Sequence, residues 1–224
     1  MREKSAKSDN TEKKPLVKPN PKGGYDLSIR QAKEKLKKMD PADICKRCQA
    51  NYSPQEGFSL PYLNYTLRVD AESYAVSFPD PERSLDPAFE VMTLHYLTDA
   101  RPVKPSHRWV SYRELPSGGF YYPVFRARAE SPLSRKLGSQ PKLFERAARS
   151  LGGEPIQYGD LAFKVITFPR LPLAYILWAG GEEFPANASV LFDSSAEDHL
   201  SIEDLAHLGE IVTKEFIRSA QRIY

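Results

Sequence analysis

The run LAFKVITFPRLPLAYILWAGGEEFPANASVLFD, residues 161–193, decides the fold class. It holds three strand-like segments, 161–168, 173–179 and 188–193, rich in β-branched and aromatic residues and separated by Pro and Gly. The middle segment, Leu173–Ala179, is apolar on both faces, which predicts a central strand. After it, Ser201 and Asp204 have the spacing of a helix capping box, and Leu205, Leu208, Val212 and Phe216 form an apolar stripe behind them. Before it, Ser139 and Pro141 open a helix that Gly152-Gly153 closes. Phe125, Ala129, Leu133 and Leu137 predict a helix over 122–137, which Pro132 can split.

Further upstream, residues 108–113 read as a strand, and Asp86-Pro87 starts a helix carrying Val91, Met92, Leu94, His95 and Tyr96. Leu63, Tyr65, Leu67 and Val69, then Tyr74, Val76 and Phe78, predict an antiparallel hairpin turning at Asp70–Ser73. Ser28 and Gln31 open a helix whose stripe is Ile29, Ala32, Leu36 and Met39; Asp40-Pro41 opens a shorter one. Helices and hairpins are interspersed rather than strictly alternating. That predicts an α+β fold: a mixed, mostly antiparallel sheet with about five to six helices packed around it.

The chain of 224 residues suits one domain with a substantial core, and 41% hydrophobic with 27% charged residues is a globular composition. Residues 1–24 read as a disordered basic tail and 25–224 as a single domain. The first 23 residues hold seven basic and three acidic side chains, a local +4 that leaves −1 of the formal +3 to the remainder. The folded part is near neutral, so no nucleic-acid partner is expected for it. No apolar run reaches the roughly 20 residues of a membrane span, and no apolar segment follows the N-terminal basic residues as in a secretory signal. With two cysteines besides, the expectation is a cytoplasmic protein in a reducing compartment and no membrane partner.

Phosphate-loop, dinucleotide-binding, nucleophile-elbow and zincin motifs are all missing. Four weaker features remain. Cys45 and Cys48 form a C-x-x-C that can grip zinc or an iron–sulfur cluster, but a full site needs about four ligands; otherwise they are small buried hydrophobes. Gly118 and Gly119, with Arg113 and Arg126 nearby, can hold a phosphate or carboxylate, or merely make a turn. Tyr122, with Phe120, Tyr121 and Phe125, can line a cleft or belong to the core. His95 and His199 can be acid–base groups or metal ligands, or hydrogen-bonded structure. Glu182, Glu183 and Asp193 flank the last two strands, and His199, Asp193 and Glu183 together are the candidates for an acid–base site.

Several stretches taken together carry a resemblance: LHYLT at 94–98, WVSYRELPSGGFYY at 109–122, GDLAFK at 159–164, ILWAG at 176–180, EEFP at 182–185, LFDSS at 191–195 and His199-Leu200. The chain resembles the domain-of-unknown-function 3786 family of bacteria and archaea, many of them anaerobes, over roughly residues 25–222. That resemblance brings no established activity. It implies a setting in anaerobic cofactor metabolism, since some similar chains carry an added iron–sulfur domain; here the leader contains no cysteine. The leading expectation is a binding or accessory protein for a cofactor or small acidic ligand. In its sharpest form a tetrapyrrole or corrinoid lies on the aromatics, with His95 or His199 on its metal and Arg113 or Arg126 on its carboxylates. The alternatives are an enzyme outside the standard motif classes and an interaction module without a ligand.

Overall fold

The structure is a computed structural model that describes residues 21–181 and 183–222. The expected tail therefore falls, up to residue 20, outside the described residues, as does Glu182. Helix α1 runs Pro21–Leu36, starting a full turn and more before Ser28. The reason is a longer apolar stripe. Tyr25 packs its ring edge-on to His207, 6.3 Å away, and extends the series Ile29, Ala32, Leu36 by one turn. Ser28 is consequently interior to the helix, and its hydroxyl donates to the Gly24 carbonyl instead of capping. Helix α2, Pro41–Cys48, starts as expected, with the Asp40 carboxylate accepting from the Ala42 N–H at 3.1 Å.

Two antiparallel sheets follow where one was expected. The first is a meander of β1 (Asn51–Ser53), β2 (Gly57–Tyr62), β3 (Tyr65–Val69) and β4 (Val76–Ser77). The expected strand through Leu63 is broken there: Tyr62 pairs with Tyr65, and Leu63 turns the chain with a left-handed φ of 50°. The Leu63 N–H donates to carbonyls of Ile166 and Thr167, so a distant strand holds this turn. Leu67 and Val69 remain on the buried face as their alternation predicts.

The second sheet contains β5 (Trp109–Ser111), β6 (Glu154–Pro155), β7 (Leu161–Phe168), β8 (Leu171–Trp178) and β9 (Asn187–Asp193), in the order β5-β9-β8-β7-β6. β8 is the central strand, buried at every position except Trp178. One face carries Phe163, Val165, Leu173, Tyr175, Val190 and Phe192, all buried, and helices cover it. These are α4 (Gly118–Phe125), continued through a π-helical turn at Arg126–Glu130 into α5 (Ser131–Leu137), then α6 (Pro141–Ser150) and α7 (Ile202–Arg222). Pro132 does not split the helix, because it sits in the first turn of α5, directly after the π turn. Gly118 and Gly119 open α4. A Cβ on Gly118 would lie 1.9 Å from the Tyr112 carbonyl oxygen, so only glycine lets α4 start this close to the 3-10 turn Tyr112–Glu114. Helix α3, Pro87–Asp99, bridges the two sheets: Tyr96 stacks on Phe168 at 4.5 Å, and Phe89 meets Tyr62 at 4.7 Å.

At Gly209 of helix α7, Tyr175 of the sheet donates its hydroxyl to the Gly209 carbonyl at 3.0 Å. A Cβ there would meet Phe125 at 2.6 Å. Alanine would gain up to about 1 kcal/mol of helix propensity, but overpacking a filled core costs about 1–3 kcal/mol. Gly209→Ala is therefore expected to lower the urea-unfolding free energy by about 1 kcal/mol.

Candidate functional site

Three elements converge at the start of α7. Helix α3 contributes His95 and Asp99, and Arg101 follows directly. The 3-10 turn Ala196–Asp198 leads into His199, and the α7 entry supplies Ser201 and Asp204. Together with Glu197, Asp198 and Leu200 these residues line an open cleft of 390 Å³.

Of the capping box predicted from Ser201 and Asp204, the half in which the serine hydroxyl caps the Asp204 amide is present. The Asp204 N–H donates to the Ser201 hydroxyl at 3.1 Å, and that hydroxyl donates to the Asp204 carboxylate at 3.0 Å. The same carboxylate oxygen lies 2.8 Å from His95 Nδ1. A carboxylate can only accept, so His95 carries its proton on Nδ1, which leaves Nε2 as the proton acceptor of the neutral ring. The hydrogen bond to Asp204 raises the His95 pKa against the opposing effect of burial.

His199 is the opposite case. It is 1% exposed, and neither ring nitrogen has a hydrogen-bond partner. Burial lowers its pKa, so near pH 7 the ring is neutral, with one donor and one acceptor unmet. Such a group costs about 1–3 kcal/mol when left unpaired.

Asp193 is engaged with the backbone that leads to His199. It is fully buried, and its carboxylate accepts from the Ser106 and Ser195 amides and hydroxyls and from the His107 amide, at 2.6–3.0 Å. Burial works against its ionisation, but these hydrogen bonds outweigh it and hold the pKa below the ordinary aspartate value. The carboxylate thereby locks the segment that enters the 3-10 turn before His199. Glu183 does not join them. It is exposed in the turn between β8 and β9, at the far end of β9 from Asp193, roughly 20 Å away at 3.3 Å per residue. The expected trio His199, Asp193 and Glu183 thus falls apart, because a seven-residue strand separates its two carboxylates.

The expected ligand-binding set also divides. His95 lies in the cleft, whereas Arg113, Gly118, Gly119, Tyr122 and Arg126 belong to the 3-10 turn and helix α4 or its end. Tyr122 spends its hydroxyl on Glu130, at 3.1 Å, and the Arg113 guanidinium lies 5.8 Å from the Tyr122 ring. Glu130, buried in the π turn, accepts the Val190 N–H at 3.2 Å. That amide lies one residue past the last β5–β9 pair, Ser111 with Leu191, so Glu130 closes the strand edge that β5 leaves open. Burial raises its pKa. Of the aromatics beside it, Phe125 is core and Phe120 is 99% exposed. A 210 Å³ hollow lined by Tyr112, Ser117, Tyr121 and His207 flanks the other side of the α7 entry.

Cys48 is buried and its thiol donates to the Tyr96 carbonyl at 3.3 Å; burial pushes its pKa up to about 12. A protonated, hydrogen-bonded thiol serves the α2–α3 contact. Cys45 is half-buried, and among the described residues no three His, Cys, Asp or Glu side chains are grouped to hold a metal.

A family model described as a domain of unknown function, DUF3786, matches residues 40–215. The chain belongs to this family. No curated protein and no solved structure matches it. The DUF3786 match begins at the Asp40 cap of α2 and encloses every residue of the cleft, leaving α1 outside. No helix among the described residues is long and apolar enough to cross a membrane. Asp204, Glu197 and Arg101 escaped the sequence reading as site residues. Asp204 carried a signal only as a helix cap, and the other two carried none.

Two outcomes follow for this DUF3786 domain. Asp193→Asn presents an amide N–H₂ to a ring of donors and is expected to cost about 2–4 kcal/mol in urea unfolding. His95 has a raised folded-state pKa, so its contribution is fully present below the unfolded value of about 6.5 and fades as pH rises through the folded one. The stability gap between wild type and His95→Gln is therefore expected to be larger at pH 5.5 than at pH 8.5.

Proposed function

We propose that this DUF3786 domain binds a small polar molecule in the cleft between α3 and the start of α7, and that His95 exchanges a proton with it. One observation carries the reading: His199 is buried with both ring nitrogens unpartnered, and it lines the cleft that holds the His95–Asp204 pair. A buried polar group without a partner calls for one from outside the chain. A ligand that donates to one His199 nitrogen and accepts from the other would supply it. The volume of 390 Å³ suits a small molecule.

The pair His95–Asp204 is a base held by an orienting carboxylate, the arrangement general acid–base chemistry uses. His95 keeps 31% of its side chain exposed, so solvent and ligand both reach it. The tetrapyrrole version receives no support from the geometry, since the arginines meant for its carboxylates lie on α4 and its flanks while the histidines lie on α3 and before α7. A cytoplasmic role in anaerobic cofactor metabolism rests on the family resemblance and is a further part of the proposal.

Phenylalanine at 199 removes the two unmet polar atoms and keeps the ring volume. His199→Phe is therefore expected to leave the free protein as stable as wild type, or up to about 1 kcal/mol more stable. In a thermal-shift screen of small polar metabolites, compounds that stabilise wild type are expected to lose that effect in His199→Phe. Compounds that stabilise both proteins equally would overturn the reading.

A further inference from the structure

We infer that the ligand of this cleft is a protonated amine that also carries a neutral hydrogen-bonding group; the inference rests on the cleft being the binding site. The charges around it decide the class. Four carboxylates line the cleft: Asp99, Glu197, Asp198 and Asp204. Three already have partners. Asp99 pairs with Lys35, Asp198 with Arg101 at 3.2 Å, and Asp204 with His95. Glu197 has no ion-pair partner among the described residues, and the charged group that acts on it is another carboxylate, Asp198. Burial and that neighbour both raise the Glu197 pKa.

With His95 neutral, the four carboxylates exceed the cations engaged with them, Arg101 and Lys35, by two negative charges. A carboxylate or phosphate ligand would meet repulsion from Glu197 and Asp198. An ammonium group would instead relieve it through a charge-assisted hydrogen bond. His199 supplies the second requirement. It is 1% exposed with both ring nitrogens unpartnered, and a group entering from the cleft would supply the missing donor and acceptor. Because burial keeps the ring neutral, it prefers a hydroxyl or amide to a second charge. The expected ligand is thus of the amino-alcohol or amino-amide type, with its nitrogen at Glu197 and its neutral polar group at His199. With the Nδ1 proton committed to Asp204, the neutral His95 can take a proton from such an amine or hydroxyl.

The test uses the full chain and imidazole resonances in a two-dimensional NMR spectrum, with the His199 signal identified by its loss in His199→Phe. The probes are ethanolamine and 2-aminoacetamide as amines, glycerol as a neutral compound, and acetate and citrate as anions. The expected result is a saturable shift of His199 with an amine and no such shift with the anions. Glu197→Gln, an exposed position, is expected to weaken amine binding about tenfold without changing the melting temperature. A saturable His199 shift with citrate or glycerol but not with the amines would overturn the amine class while leaving the cleft as the site. Amine binding of equal strength in wild type and Glu197→Gln would do the same. No His199 shift with any probe at 20-fold excess over about 1 mM protein would overturn the amine class. If His199→Phe then also proved less stable than wild type, the cleft itself would lose its standing as the site.

Discussion

The carboxylate of Asp204 serves both the start of the longest helix and the only ion pair that His95 makes among the described residues. It closes the first turn of α7 with Ser201 and reaches across to His95 on α3. Helix α3 packs against both sheets and α7 covers the larger one, so this contact ties the two helices together at one end. Aromatic packing carries the rest, with Tyr175 stacked on Phe216 at 4.4 Å and Tyr112 on Phe125 at 4.4 Å. The same capping geometry that any helix needs thereby orients a proton-accepting imidazole beside an open cleft.

The two histidines of the cleft are driven in opposite directions by their surroundings. His95 has a carboxylate partner, which favours the charged ring; His199 has burial and no partner, which favours the neutral one. Two titratable groups pushed apart in this way can hold different protonation states at one pH, which is what directional proton transfer needs. Asp193 completes the arrangement from behind. Its five hydrogen bonds are made to the loop before β5 and the segment after β9, so the backbone leading to His199 is held independently of any ligand.

Outside the cleft, buried polar groups serve the fold. Glu130 pairs with Tyr122 and with the open edge of β9, and Cys48 donates to the backbone of α3. The π turn that carries Glu130 has a structural use here: the extra residue aims a carboxylate inward from a helix whose neighbouring positions, Arg126 and Arg128, face solvent.

Local chemistry was readable from the chain alone wherever one short segment contained both halves of an interaction. The Asp40, Asp86 and Ser201–Asp204 caps, the turn at Asp70, the all-apolar β8 and the stripe of α7 follow from spacing and side-chain type. The strand predicted through Leu63 failed because its turn is held by carbonyls of β7, about a hundred residues away. The start of α1 moved because Tyr25 finds His207 on α7. For the site, the chain named His95, His199 and Asp193 as individual residues, since histidine and aspartate are chemically conspicuous. It grouped His199 and Asp193 with Glu183 and left His95 apart. Only the tertiary structure joined His95 to Asp204 across 109 positions, turned Asp193 into an anchor, sent Glu183 to the far end of β9, and left His199 buried without a partner. Hydrogen bonds and desolvation depend on distances between segments, and those distances exist only once the helices have packed on the sheet.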